Sequence, residues 1–208
     1  GAISASEDIT FGKNANIYEV TSQNGAISVG GTTSANGNIT SAKSQTFNGA
    51  FTLQSDVVLS AGTNTITFKD TVNGTHALTI GNNANATNVT FEKSVGSVNK
   101  LASLSVKGNA TANEAISTTG NIVVGGTATI TDVTSQNGAI SVTGDATASG
   151  TISVRGNISF GANSIINEVT SLSGAISFIG DATATGAISA GGDITFGKNA
   201  IINEVTSQ

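Results

Sequence analysis

The chain has no cysteine, proline, methionine or tryptophan, and one histidine and one tyrosine among its 208 residues. Without cysteine there are no disulfides and no thiol chemistry, and the absence leaves the compartment open. Aromatic residues make up only 4%. Globular cores fill space with large side chains, so a chain rich in Ala, Ile, Val, Ser, Thr and Asn, with 26 glycines, builds a thin core in an elongated body.

Charge is equally sparse, at 10% of residues with a net charge of -5, so no basic stripe exists to meet nucleic acid. The longest apolar runs, such as Val57-Val58-Leu59, are strand-sized. They fall far short of the roughly 20 residues that span a bilayer, so no membrane insertion of this segment is expected. The sequence opens on Gly1 without a charged region and apolar stretch of signal-peptide type, and it reads as a piece of something longer.

What is present is repetition. GAISASEDITFGKNANIYEVTSQ at 1–23 returns as GAISAGGDITFGKNAIINEVTSQ at 186–208, with 19 of 23 positions the same. The motif EVTSQNGAIS at Glu19 recurs as DVTSQNGAIS at Asp132 and EVTSLSGAIS at Glu168. Its valines, Val20, Val133, Val169 and Val205, are spaced by 113, 36 and 36 residues, and the first interval is one short of 19 six-residue units.

A six-residue beat runs inside these units, as in AISVTG, DATASG and TISVRG. Two apolar residues at alternate positions point inward from a strand while the Ser or Thr between them points out. Glycine then turns the corner, where a positive φ is expected.

An offset of 18 stacks Leu104, Ile122, Ile140, Ile158, Ile176 and Ile194 in one column, and Val106, Val124, Val142, Phe160, Phe178 and Phe196 in the next. An offset of 12 places Ser164 and Ala200 among the isoleucines instead. The sequence therefore predicts an all-β, three-faced parallel β-solenoid (β-helix) of about 18 residues per coil. About eleven coils at about 4.8 Å give a rod of about 50 Å.

Residues 1–208 read as a single continuous solenoid segment, regular over 1–40 and 121–208 and irregular over 41–120. Loops or wider coils are expected in the irregular part, for instance around Gly81 to Asn88, and such loops carry specificity in solenoids.

The stretch TFNGAFTLQSDVVLSAGTNTITFKDTVNGTHALTIGNN, with the NGAIS and GGDITFG repeats, resembles the passenger repeats of filamentous-haemagglutinin-type exoproteins and autotransporter adhesins of bacteria. The resemblance implies a right-handed β-helix, extracellular or on the bacterial cell surface, acting in adhesion or surface architecture. It carries over no catalytic residue. The three-per-coil unit also resembles the bactofilins, which implies end-to-end polymerisation, while the Ser, Thr and Asn-rich faces fit a secreted array better.

Candidate chemistry is thin. His76 has no second histidine or cysteine to form a metal set and reads as a solvated loop residue. Asp132, Glu168 and Glu204 occupy equivalent places with Gly150 and Gly186 on the coils between. Two coils, about 9.6 Å, are too many for two carboxylates to share a calcium ion. Glycine-rich turns lack the GxxxxGK[ST] pattern of a phosphate loop. Asn38, Asn73, Asn85, Asn88, Asn109 and Asn157 open glycosylation sequons by letter, as expected of a chain this rich in Asn, Ser and Thr.

A threonine column, Thr111, Thr129 and Thr147, reads as broken at Ile165, too short for an ice-binding ladder. No catalytic, cofactor-binding or metal residue is assigned and no cofactor is expected. Arg155 is the sole arginine, which disfavours an enzyme of pectin-lyase type.

Two functional readings follow. The first is a structural segment of a long exported bacterial surface fibre or stalk, partnered by copies of itself end to end or by adjoining repeats of the same chain. The second is an adhesin passenger segment that meets a host, cell or glycan surface through its irregular middle coils.

Overall fold

The computed structural model describes residues 1–82 and 84–207, and among them every regular element is a strand. All pairing is parallel, and successive strands fall on three faces in turn. The first face is an eleven-stranded sheet from Ala2–Ala5 to Ile194–Phe196, and the second runs from Ile9–Phe11 to Ala200–Ser207.

The third face starts with Ala15–Ile17, Thr33–Ala35, Phe51–Leu53 and Val72–Asn73. It continues through bridges from Val72 to Val95 and from Val95 to Ile116. Beyond these come Ile116–Thr118, Val133–Ser135 and the later halves of the long strands that begin at Ala146, Ser164, Ala182 and Ala200. Those long strands turn from the second face to the third with a shift of register at the corner. The chain is thus a parallel β-solenoid of about eleven coils, as the stacked columns required.

Both columns read from the sequence are present rung for rung, from Leu104 to Ile194 and from Val106 to Phe196. On the second face the rungs step by one regular coil from Ile9 through Ile27 to Gln45, and again from Ala110 onward. In between, the steps from Gln45 to Ile66, from Ile66 to Val89 and from Val89 to Ala110 are each longer than a regular coil. The widest coil runs from Leu78 to Leu104 on the first face. Within it, Asn82 Oδ1 accepts hydrogen bonds from the Ala84 and Asn85 amides, both at 2.9 Å, and Asn83 lies outside the described residues.

These insertions correct the count for the long interval. Val20 lies on the first face of the second coil and Val133 on the third face of the seventh, which is 17 strand positions rather than 19. The extra residues are in the wide coils.

The core is one buried ribbon along the axis. Large side chains stack along it: Phe47, Phe68 and Phe91 lie at 5.2 Å centroid spacing, with Phe51 edge-on to the first two. Phe160, Phe178 and Phe196 form a second 5.2 Å stack on the first face. Each such pair contributes about 0.5–1.5 kcal/mol beyond its buried area.

The corners depart from expectation in a way that explains the repeated motif. Among the described residues, positive φ occurs only at Gly62, Gly74, Gly81 and Gly96, all in the irregular middle. The regular corner glycines are required by close approach instead: a Cβ on Gly138 would lie 2.2 Å from the carbonyl carbon of Gly120 on the preceding coil. A glycine there lets two corners touch.

The serine of the motif completes the corner. Ser135 turns inward, its hydroxyl donates to the Gly120 carbonyl at 2.7 Å, and its oxygen accepts from the Gly138 amide at 3.0 Å. Ser22 and Ser171 do the same with Glu7 and Gly25, and with Gly156 and Gly174. In VTSxxG the valine fills the core, the threonine faces out, and the serine ties one coil to the last.

Candidate functional site

A second corner device decides what the polar side chains do. The residue before many strands is Asn or Asp, and its Oδ1 accepts an amide of the next coil. Asn109 accepts from Thr127 at 2.9 Å, Asn121 from Ala139 at 2.9 Å, Asp145 from Asn163 at 3.0 Å and Asn163 from Asp181 at 3.1 Å. The amide left over at each bend is thereby satisfied without a turn of its own. The sequon asparagines Asn38, Asn109 and Asn157 serve in this way, while Asn73 and Asn88, themselves within strands, accept from the Val98 and Asn109 amides.

The carboxylates singled out by the repeat fall into the same scheme. Asp132 Oδ1 accepts from the Thr151 amide at 2.8 Å. Glu168 sits beside Thr151 and Glu204 beside Ala187, so the intervening partners are those residues and not Gly150 and Gly186 as the sequence spacing suggested. The structure does not bring the three together, and among the described residues no group of three His, Cys, Asp or Glu converges. His76 Nδ1 lies 3.7 Å from Asp56 Oδ1, whose carboxylate also accepts from the Ala77 amide.

Two polar clusters had no signal in the repeat. Glu114 accepts from the Ser94 hydroxyl at 2.7 Å and the Lys93 ammonium at 3.0 Å. The Ser94 hydrogen bond, then Lys93, holds the Glu114 carboxyl below the usual carboxylate range, and Glu114 in turn raises Lys93. Gln45 is fully buried between Ile27 and Ile66 in an otherwise apolar stretch of its column. Its amide nitrogen donates among the Ile39 and Ser60 carbonyls and the Ser41 hydroxyl, at 3.1, 2.8 and 3.2 Å.

The threonine column also needs correcting. Beyond Thr111 it continues through Thr90, Thr67, Thr46 and Ser28 to Thr10, because the wide coils keep the register although they break the regular count. From Thr10 to Thr147 the second face carries eight consecutive hydroxyl rungs before Ile165. The row is one residue wide, flanked by corner residues including Asp8, Lys69, Glu92 and Asp145.

Three shallow grooves lie on the third face. One of about 370 Å³ is lined by Asn14, Asn16, Thr32 and Ser34. A larger one of about 560 Å³ lies over Thr134 and Ser153, between Lys100 and Arg155. A third of about 150 Å³ follows over Thr170 and Ser189 and shares Leu172 with the second. No known protein family, curated protein or solved structure matches this chain.

Proposed function

We propose that this chain is a structural segment of a long exported bacterial surface fibre or stalk, in which adjoining repeats or stacked copies extend the rod. The observation that carries the reading is the repeat itself. The stretch 186–208 re-enters 1–23 while the solenoid is still running, so one sequence unit adds coils to the next without a change of architecture. Such a body adds length and stiffness, since each coil contacts only its neighbours and stability accumulates along the axis.

The surface suits that role. Its outward rows are mostly Ser, Thr and Asn, with Val123, Ile165, Leu172 and Ile179 exposed among them, and the resemblance to haemagglutinin-type passenger repeats supports a rod outside the cell. Electron microscopy of the purified chain tests the reading. Rods that lengthen along the axis as concentration rises are expected, and rods that stay at about 50 Å even at high concentration would overturn the stacking of copies.

A second reading, an adhesin segment for a host, cell or glycan surface, is favoured by one observation. The widest coil sends Lys100 over the third face, where it shares a groove with Arg155.

A further inference from the structure

We infer that the groove between Lys100 and Arg155 is a binding subsite for a carboxylate-bearing sugar of a glycan chain; this rests on the adhesin reading and gives it a place and a ligand chemistry.

The groove is built from a loop and a sheet. Gly96, at φ +72°, bends the chain out of the coil, and Asn73 Oδ1 holds the loop by accepting the Val98 and Asn99 amides at 2.9 and 3.3 Å. Leu101 returns to the core opposite Thr118, so its neighbour Lys100 faces outward at the head of the row Ser117, Thr134 and Ser153. Lys100 is half-buried there. Arg155 stands at the corner beside the same row, after Val154.

The charge pattern selects an anion. Among the described residues, Lys93 is ion-paired with Glu114, His76 lies near Asp56, and neither Lys100 nor Arg155 has a carboxylate partner. No acidic residue lines the groove, although the chain as a whole carries -5. A guanidinium and an ammonium three rungs apart, about 14 Å along the axis at the backbone, can each donate charge-assisted hydrogen bonds to a carboxylate of an acidic chain laid along the trough. Two cations on a net-negative rod do not suffice for a polyphosphate backbone.

The remaining lining selects a sugar over an acidic peptide. The floor is the outward face of interior strands whose backbone groups are already paired, so a peptide finds no edge for strand addition. It meets hydroxyls from Thr134 and Ser153 and amides from Gln136 and Asn137, donors and acceptors suited to ring hydroxyls. Leu172, 67% exposed, offers an apolar wall for the C–H face of a ring and continues into the next groove over Thr170 and Ser189.

The test is titration of the full chain with a hyaluronan tetrasaccharide, its carboxyl-reduced neutral counterpart, a short polyglutamate peptide and acetate. Backbone amide shifts report the place. Tetrasaccharide binding with shifts at Thr134, Ser153 and Leu172 is expected, weakened roughly tenfold by Arg155→Ala or Lys100→Ala and partly retained in Arg155→Lys. Unchanged melting of the variants shows that the fold is intact.

Equal binding of the neutral sugar, equal or tighter binding of the peptide, a response to acetate alone, or indifference to both alanine variants would overturn the subsite. Adhesion of cells displaying the chain separates the two levels. If the Lys100→Ala, Arg155→Ala double variant adheres as well as the parent, the subsite is wrong and the adhesin reading stands. If neither adheres, the adhesin reading fails with it.

Discussion

Ile9 and Ile194 hold the same place in the repeated stretch DITFG, yet Ile9 lies on the second face of the solenoid and Ile194 on the first. Every strand of 186–207 is displaced one face from its counterpart in 1–22: Ile17 on the third face answers to Ile202 on the second, and Val20 on the first to Val205 on the third. The two ends, though alike in sequence, therefore do not share a phase. The unit from Ile9 to Ile194 spans 29 strand positions, one short of ten full coils, because the insertions in the middle do not add a whole number of faces. The six-residue strand and its corners are thus indifferent to which face they occupy.

The corner serine is expected to matter more than its neighbours. Ser135→Ala leaves the Gly138 amide without its acceptor and the Gly120 carbonyl with the Thr118 hydroxyl alone, in a corner where Ser135 is 2% exposed. The loss should be about 1–3 kcal/mol in urea unfolding, against no more than about 0.5 kcal/mol for the outward Thr134→Ala. Equal effects of the two would contradict the assigned corner.

Asp and Asn alternate in one corner column, Asp145, Asn163, Asp181 and Asn199, each capping the next. Asn163→Asp keeps the acceptor but places three carboxylates on consecutive coils. The variant should be less stable in low salt and recover as salt screens the repulsion. A salt-independent difference would point to geometry instead of charge.

Two core substitutions separate apolar filling from polar repair. Ile158→Asp puts a charge where the side chain is 1% exposed and should abolish the β-sheet circular dichroism. Gln45→Leu adds apolar volume next to Ile27 and Ile66, yet should destabilise by about 1–3 kcal/mol because the Ile39 and Ser60 carbonyls lose their donor. A gain in stability on Gln45→Leu would refute that role.

Glu114 sets a small pH dependence. Its carboxyl is held down in the folded chain by Ser94 and Lys93, so its contribution is present above the ordinary glutamate range and is lost as pH falls through the folded value. The folded state binds fewer protons than the unfolded state in that window, so stability rises with pH across it. Carbon-detected titration should place the Glu114 midpoint below that of an unperturbed glutamate, and Ser94→Ala should move it back up.

The periodic part of the fold is legible in the sequence because one column demands one residue type. Leu104 to Ile194 can be stacked on paper, and so can the strand rhythm through HALTI and NVTF. The face assignment is not legible, since widening a coil changes the count without changing the local pattern. For the same reason the hydroxyl row reads as starting at Thr111, although Thr90 and Thr67 extend it. The Ser and Asx corners are visible as letters in VTSQNG and in NIS or DAT, but their partners lie 15 to 21 residues away on another coil. The groove between Lys100 and Arg155 joins a loop to a distant corner, and no short pattern announces it.

Rotation of the repeat by one face is open to direct measurement. A chain carrying residues 9–193 in four tandem copies, reconstructed by electron cryomicroscopy, should be one uninterrupted three-faced rod. Phe11 should emerge on a different face in each of the first three copies and return to its first face in the fourth, 29 coils or about 140 Å along the axis. A rod in which every copy begins on the same face, or one interrupted at each junction, would contradict the rotation.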